Sequence, residues 1–452
     1  MREFLLWYGQ FLGMVAREFM KDAHKLGPVE LAPGVTRVNA ATKLWASGVT
    51  IAAMAGLSIL QGYILTEHLD VPRRTQGTVS GDLSFVTEIV MILAFVPFGI
   101  LADRIGRRPV YMLGILLIGL AWGLYPFATT TNELFLYRII YAIGVAAAAG
   151  MLATMVNDYP LDSSRGKFIG LTAMMNVLGT VFAARIIGGI PERMTAMGYD
   201  PVTAGTVMFV SMAVLCAVTA VIARFGLKAG TPVAARERPP ITELYKSGLR
   251  AAHNSRIAIS YAAAVAARSD VVVKGLFLAL WAIQSGREMG VTTGEAMARF
   301  GTAMVVMYAV SFFTAPLFGW FIDKVDRMTA MIVALVVAAA GYLSMYFLTT
   351  PIDFNMIPLL ILLTLGTGFM VKAQMALIGQ EAPVKERGSV IATGQVFGAV
   401  GILVFTAVGG RLFDAWGPWA PFVLVGSYQA ILLVAAFVVR FTRPAEGSYS
   451  TA

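Results

Sequence analysis

Six ionisable residues, Glu88, Arg185, Arg268, Asp270, Lys274 and Lys372, stand inside stretches otherwise apolar enough to sit in lipid. A charge at mid-membrane costs about 2.5–3.5 kcal/mol even on lenient scales, so each of these residues is a functional hypothesis by default. Three of them crowd into AARSDVVVKGLFLALW, Ala266 to Trp281. Asp270 and Lys274 are spaced i, i+4 with the acid N-terminal, the better orientation for pairing on a helix. At about 100° per residue, Lys274, Phe277 and Trp281 all fall within about 40° of Asp270, whereas Arg268 points about 160° away. One reading is a self-neutralised pair beside two packing aromatics. The other is a cavity stripe. In that stripe the lysine receives an anionic group, the acid titrates or releases the lysine, and the aromatics hold an apolar body. Pairing lowers the cost of burial without explaining why charges are present, so the cavity stripe is preferred. Arg268 is left to pack against another helix or to snorkel.

Lys372 has no obvious partner nearby in sequence; a lysine snorkelling to the helix end is the alternative. Gln61, Tyr63 and Gln374 can add hydrogen bonds. Glu88 shares a helix face with Gly99 and reads equally well as a protonatable hinge or as the buried partner of an arginine. Arg185 stands one turn before the Gly188-Gly189 pair and is expected in a structural ion pair, with Glu88 as its candidate partner.

Composition fixes what must position these groups. Of 452 residues, 58% are hydrophobic and 13% charged, against about 25% charged in soluble globular proteins. A single cysteine, Cys216, excludes an internal disulfide and a Cys-based zinc cluster, and three histidines give no metal-site pattern. No Gly-x-x-x-x-Gly-Lys-[Ser/Thr] stretch is present, so neither a nucleotide nor another cofactor is called for. No nucleophile–base constellation points to an enzyme. With about 20 apolar residues needed per crossing, twelve spans are expected at residues 42–66, 79–102, 109–128, 133–157, 166–190, 202–226, 257–284, 296–322, 328–349, 356–380, 388–412 and 419–441.

An even number of spans leaves both termini on one side. The loops on that side carry Arg104, Arg107, Arg108, Arg165, Lys167, Lys324, Arg327, Lys385 and Arg387, and the long central interval adds more. The positive-inside rule then places both termini in the cytoplasm, in a bacterial inner membrane. This accounts for the net charge of +9 without nucleic acid, since the loops lack aromatic interleaving for base stacking. The chain divides into an N-terminal amphipathic segment (1–40), a six-helix lobe (41–226), a cytoplasmic linker (227–255), a second six-helix lobe (256–441) and a tail (442–452). The first 26 residues, MREFLLWYGQFLGMVAREFMKDAHKL, show no cleavable signal peptide. They read as a helix lying in the membrane interface or docked on the protein's own surface.

The halves echo each other. GILADRIGRRP, Gly99 to Pro109, follows span 2, and GWFIDKVDRM, Gly319 to Met328, follows span 8. NDYPLDSSRG after span 4 matches QEAPVKERG after span 10, and Gly188-Gly189 in span 5 matches Gly409-Gly410 in span 11. This pattern resembles the major facilitator superfamily, across the whole chain. The resemblance implies an all-α membrane protein with twelve transmembrane helices in two six-helix lobes, acting as a monomeric secondary transporter by alternating access.

It also implies roles. Gly99, Asp103, Arg104, Gly106 and Arg107, with Gly319, Asp323 and Arg327 in the second half, would serve gating. Asp103 and Arg107 would clamp the lobes on the cytoplasmic face in the outward-open state, the bland alternative being that these charges only fix topology. LYRIIYAIGVAAAAG, Leu136 to Gly150, resembles the family's Arg-x-x-Gln-Gly motif, with Arg138 as the arginine linked to proton coupling. It departs from that motif at Tyr141 and Ala142, and the span boundaries put Arg138 near the external end. Span 5 lacks the Gly-Pro pair of drug–proton antiporters. In the family, spans 1, 4, 7 and 10 line the central cavity, which would bring Lys274 and Lys372 to one space. A net positive cavity of this kind would take a carboxylate, phosphate or sulfate. The expected substrate is thus a small organic anion or anionic amphiphile. Asp270, Glu88 and Arg138 are the candidates for proton coupling. The alternative is a lipid or hydrophobic-compound carrier with the same fold.

Overall fold

The computed structural model describes residues 25–230, 241–383 and 386–442, leaving out the side chains of 241–245 and 270–271. The amphipathic stretch expected before residue 25 and nearly all of the expected tail lie outside the described residues.

Twelve long helices follow one another among the described residues: α1 (Arg37–Tyr63), α2 (Arg73–Ile105), α3 (Arg107–Leu124), α4 (Thr131–Asp158), α5 (Arg165–Val181), α6 (Pro201–Gly226), α7 (Ser255–Glu288), α8 (Thr293–Lys324), α9 (Arg327–Leu343), α10 (Ile357–Glu381), α11 (Arg387–Ala415) and α12 (Ala420–Thr442). Eleven of them are long and apolar enough to cross a membrane. The other is α7, whose 34 residues suffice in length and which holds Arg268, Asp270 and Lys274. Several helices overrun the apolar stretches read from sequence, because capping residues continue them past the hydrophobic run. Thr36 and Asn39 form a reciprocal capping box at the start of α1, satisfying two otherwise orphaned amides. Thr130, Asp200, Thr292 and Asp326 accept backbone N–H groups at the starts of α4, α6, α8 and α9.

Each lobe pairs its helices in the same way. In the first, α3 packs on α4 and α6, and α1 on α5; in the second, α9 packs on α10 and α12, and α7 on α11. The lobes meet where α2 runs along α11, where α8 crosses the end of α5, and where α1 touches α7. Two further elements lie on the basic face. A short helix, Ile241–Arg250, occupies the expected linker and rests on α11 through Gly248. Ahead of α1, a small hairpin pairs Lys25–Leu26 with Val29–Glu30. Its continuation is tied to the α4–α5 turn, where Ala32 N–H donates to the Tyr159 carbonyl at 2.8 Å and Leu161 N–H to the Glu30 carbonyl at 2.9 Å. Val29, Leu31 and Val35 are buried there.

The face opposite the basic loops is closed. The Gly77 and Thr78 amides donate to the two Asp414 carboxylate oxygens at 2.8 and 2.6 Å. Arg411 binds Asp82 through both guanidinium nitrogens, at 2.8 and 3.3 Å. Arg287 reaches Glu67 at 3.4 Å, which also accepts the Thr293 hydroxyl. Arg73 donates to Gln284 at 3.1 Å and pairs with Glu288. Glycines let the backbones meet beneath these contacts. A Cβ on Gly81 would fall 2.3 Å from the Thr406 carbonyl oxygen, and one on Gly301 would fall 2.5 Å from that of Ala184. Gly81 and Gly301 stand equally far ahead of Asp103 and Asp323, so the two contacts are the same contact repeated. One apolar core runs through the first lobe and on into the half of the second lobe that lies on this side. The half of the second lobe toward the basic face has a core of its own, around Phe318, Met331 and Met370.

Candidate functional site

Between the lobes lies a cavity of about 430 Å³. Its wall is mostly apolar and includes Met54, Met91, Met304 and Met375, together with Tyr141 and Tyr308. Three charged side chains reach it: Glu88 from α2, Arg138 from α4 and Arg268 from α7. Ser84, Thr87, Gln374 and Gln395 supply neutral polar groups.

Glu88 and Arg268 join the two lobes across this space. The Arg268 guanidinium lies 3.3 Å from the buried Glu88 carboxylate and also donates to the Gln395 carbonyl and side-chain oxygens at 3.3 and 3.2 Å. The expected pairing of Glu88 with Arg185 is therefore corrected. Arg185 sits in a wide turn of α5, Phe182–Ile187, and its Nη1 is buried without a hydrogen-bond partner among the described residues. Arg268 does point away from Asp270 around the helix, as the spacing predicts. However, α7 is packed on all sides, so its other face turns toward α2.

Arg138 is 2% exposed. It stands toward the expected external end of α4, with its Nη1 donating to the hydroxyl of Tyr125 in the α3–α4 turn at 3.5 Å, and from there it lines the cavity. It donates to the Thr87 hydroxyl at 2.7 Å and its guanidinium lies 5.0 Å from the centre of the Tyr141 ring. Among the described residues no carboxylate pairs with it. The tyrosine that replaces glutamine in the motif thus provides a cation–π surface for the arginine.

The α7 stripe is split by the structure. Lys274 is 4% exposed, with its Nζ 5.2 Å from the centre of the Tyr308 ring, so it stands directly behind a wall residue. Phe277 stacks on Phe413 at 5.6 Å, and Trp281 lies 6.2 Å from Phe422. Both are buried in lobe packing, which corrects their placement in the binding stripe: this face of α7 turns from the cavity into α11 and α12 as it rises. The Asp270 side chain lies outside the described residues. Lys372 is half-buried beside the wall residue Val371, with its Nζ donating to the Gly368 carbonyl at 3.1 Å. Gln374 lines the cavity and its carbonyl accepts the Ser260 hydroxyl at 3.0 Å. Gln61 is buried away from the wall, with its amide unpartnered among the described residues.

The gating candidates lie on the basic face. Arg107 pairs with Asp158 and Arg327 with Asp323 at 3.0 Å, each within one lobe. Asp103 and Arg104 are exposed. Gly106 ends α2 with a φ of +93°, a conformation that favours glycine, so the turn itself accounts for this residue. A Cβ on Gly99 or Gly319 would meet nothing within 4 Å. Close helix approach is therefore not their role in this conformation, because the lobes are apart at that level.

Sequence reading missed Lys43. It is fully buried, donates to the Thr172 hydroxyl at 2.7 Å and lies 5.0 Å from the centre of the Phe168 ring. A lysine one residue inside an expected span reads as a terminal one, and only the packing of α5 over it shows otherwise.

The sequence profile of the Major Facilitator Superfamily matches residues 44–406, with a second match over 274–452. The chain belongs to this superfamily. Members of the family are transporters, and the twelve-helix, two-lobe membrane fold is theirs. Among curated relatives, the magnetosome protein MamH of Paramagnetospirillum magneticum is 28% identical over 425 residues, covering 92% of this chain and 95% of that protein. The MamZ magnetosome proteins of the same organism and of Magnetospirillum gryphiswaldense are each 27% identical over 85% and 90% of this chain, which spans 60% and 63% of their length. Among solved structures, the nucleoside transporter NupG aligns with a TM-score of 0.72 at 12% identity, over 88% of this chain and 99% of that one. An inward-facing bacterial homologue of the lysosomal transporter Spinster aligns at 0.68 and 16%, over 88% and 95%. At these identities the likeness is one of fold.

Proposed function

We propose that this major facilitator carries a small organic anion or an anionic amphiphile through the central cavity, coupled to protons. The observation that carries this reading is Arg138, a buried guanidinium on the cavity wall whose described partners are the Thr87 and Tyr125 hydroxyls and the Tyr141 ring, with no carboxylate among them. A desolvated cation without a counter-charge favours an anionic ligand. Arg268 supplies a second guanidinium from the other lobe, so an anion held by both would bind each lobe. Glu88 occupies Arg268 when the ligand is absent. An anion that displaces Glu88 leaves a desolvated carboxylate, which favours uptake of a proton. Lys274, Lys372 and Asp270 remain secondary candidates on the C-terminal side. The basic loops support a cytoplasmic placement of both termini.

The test is uptake into proteoliposomes, beginning with nicotinate, an aromatic carboxylate. That probe is suggested by a short match, 29% over 101 residues, to a Bacillus subtilis protein named as a putative niacin/nicotinamide transporter. Removing one partner from a buried charged contact costs about 2 kcal/mol or more, so Arg138→Gln should lower uptake about 30-fold or more. Unchanged anion uptake by Arg138→Gln would sink the anion site.

A second reading keeps the fold and changes the cargo to a lipid or another hydrophobic compound. The four methionines on the wall favour it, since their flexible thioethers accommodate varied apolar shapes. Flux of a fluorescent lipid analogue with none for soluble anions would decide for it. The full-length likeness to MamH also makes a magnetosome membrane a second candidate location, to be checked by fractionating cells that express a tagged chain.

A further inference from the structure

The closed face is held by two seams that correspond to each other and differ in charge. At the α5–α8 seam, Gly301 meets the Ala184 carbonyl and Gly294 meets Pro191 and the Glu192 backbone. At the α2–α11 seam, Gly81 meets the Thr406 carbonyl, and there Asp414 and Asp82 add polar contacts from one lobe to the other. By the match of Gly188-Gly189 to Gly409-Gly410, the position equivalent to Asp414 is Arg193, which is exposed. Among the described residues the carboxylate latch therefore exists on one seam only. Beside it, at the α1 and α7 ends, Glu67 and Glu288 hold the lobes through Arg287, Thr293 and Arg73.

We infer that this face is an acid-releasable gate, with Asp414 its principal latch and the α2–α11 seam the side that parts. Four of the ties across this face have a carboxylate as acceptor, and a neutral set through Gln284, which accepts from Arg73 and donates to Gln76, stands beside them. Asp414 is the one that accepts backbone amides, those of Gly77 and Thr78 in the second turn of α2, together with the Thr78 side chain. The groups that meet these acids are cationic or neutral, namely Arg73, Arg287, Arg411, Thr293 and the α2 amides, while His68 stands next to Glu67 with Asp200 also acting on it. A protonated carboxyl keeps hydrogen-bonding capacity but loses the charge that makes these bonds strong. The latch is accordingly complete above the carboxylate range and lost as pH falls through it, so acid on this face favours opening. The inference does not depend on the cargo.

The gate can be read by distance measurement between spin labels, in the full chain with Cys216→Ala. Labels at Met197→Cys and Met289→Cys span the closed face, and labels at Ile105→Cys and Lys324→Cys span the basic face. Between about pH 7.5 and about pH 4, the range over which carboxylates take up protons, the first pair should gain a longer-distance population while the second pair shortens. Asp414→Asn should show that longer population already at neutral pH. Lengthening of both pairs on acidification would mean loss of the fold and overturn the inference. So would distances that ignore pH in the parent while Gly81→Leu, a steric wedge in the same seam, lengthens the first pair. If acid opens the parent but Asp414→Asn matches it at every pH, Asp414 is not the latch and the assignment fails.

Discussion

Arg138 and Arg268 are the same residue type on the same cavity wall, yet their surroundings give them different work. Arg138 is fixed by Thr87 and Tyr141, and Arg268 is held by Glu88 and Gln395. A substitution at Glu88 should separate these roles. Glu88→Gln retains the shape and removes the titrating charge, so uptake should lose its pH dependence while exchange of substrate persists. Uptake by that variant with the parent's pH profile would clear Glu88 of coupling. The presence of costly charges was legible in the sequence, because hydropathy exposes an ion in an apolar run. Their partners were not, because Glu88 and Arg268 are separated by 180 residues and meet only when the two lobes assemble.

At the scale of elements, the turn from α2 to α3 illustrates what a motif residue can be for. Gly106 joins the two helices at a φ of 93° and a ψ of 161°, a region essentially confined to glycine that costs another residue on the order of 1–3 kcal/mol. Gly106→Ala should therefore lower thermal stability in detergent by about that amount. A melting curve superposable on the parent's would show that the turn relaxes freely. The spans themselves were readable because lipid demands long apolar helices, and the repeat of α2 in α8 extends to a proline inside each, Pro97 and Pro316. The strapped hairpin ahead of α1 was not readable. It is made of backbone hydrogen bonds to the α4–α5 turn, and such bonds leave little pattern in side-chain type. The reading of Phe277 and Trp281 failed for a related reason: a helix wheel gives the direction of a side chain but not the neighbour that stands there.

At the scale of the whole molecule, the two glycine contacts make the closed face a matter of steric fit. Leucine at Gly81 and Gly301 cannot coexist with carbonyls at the distances found there. The double variant should hold that face open, and a cysteine placed at the buried Ser80 should then react with a membrane-impermeant thiol reagent at least about tenfold faster. Native Cys216 is fully buried and contributes little background, since a sealed thiol is inert. An unchanged labelling rate would mean that the barrier closes elsewhere.

The apolar core that passes from the first lobe into the second on the closed side has a consequence for temperature. To open that face, the lobes must pull apart a shared hydrophobic contact, whereas the basic face has no equivalent shared core among the described residues. Hydrophobic cohesion weakens on cooling. The balance between the two faces is therefore tied to warmth, and a colder membrane favours release of the closed side.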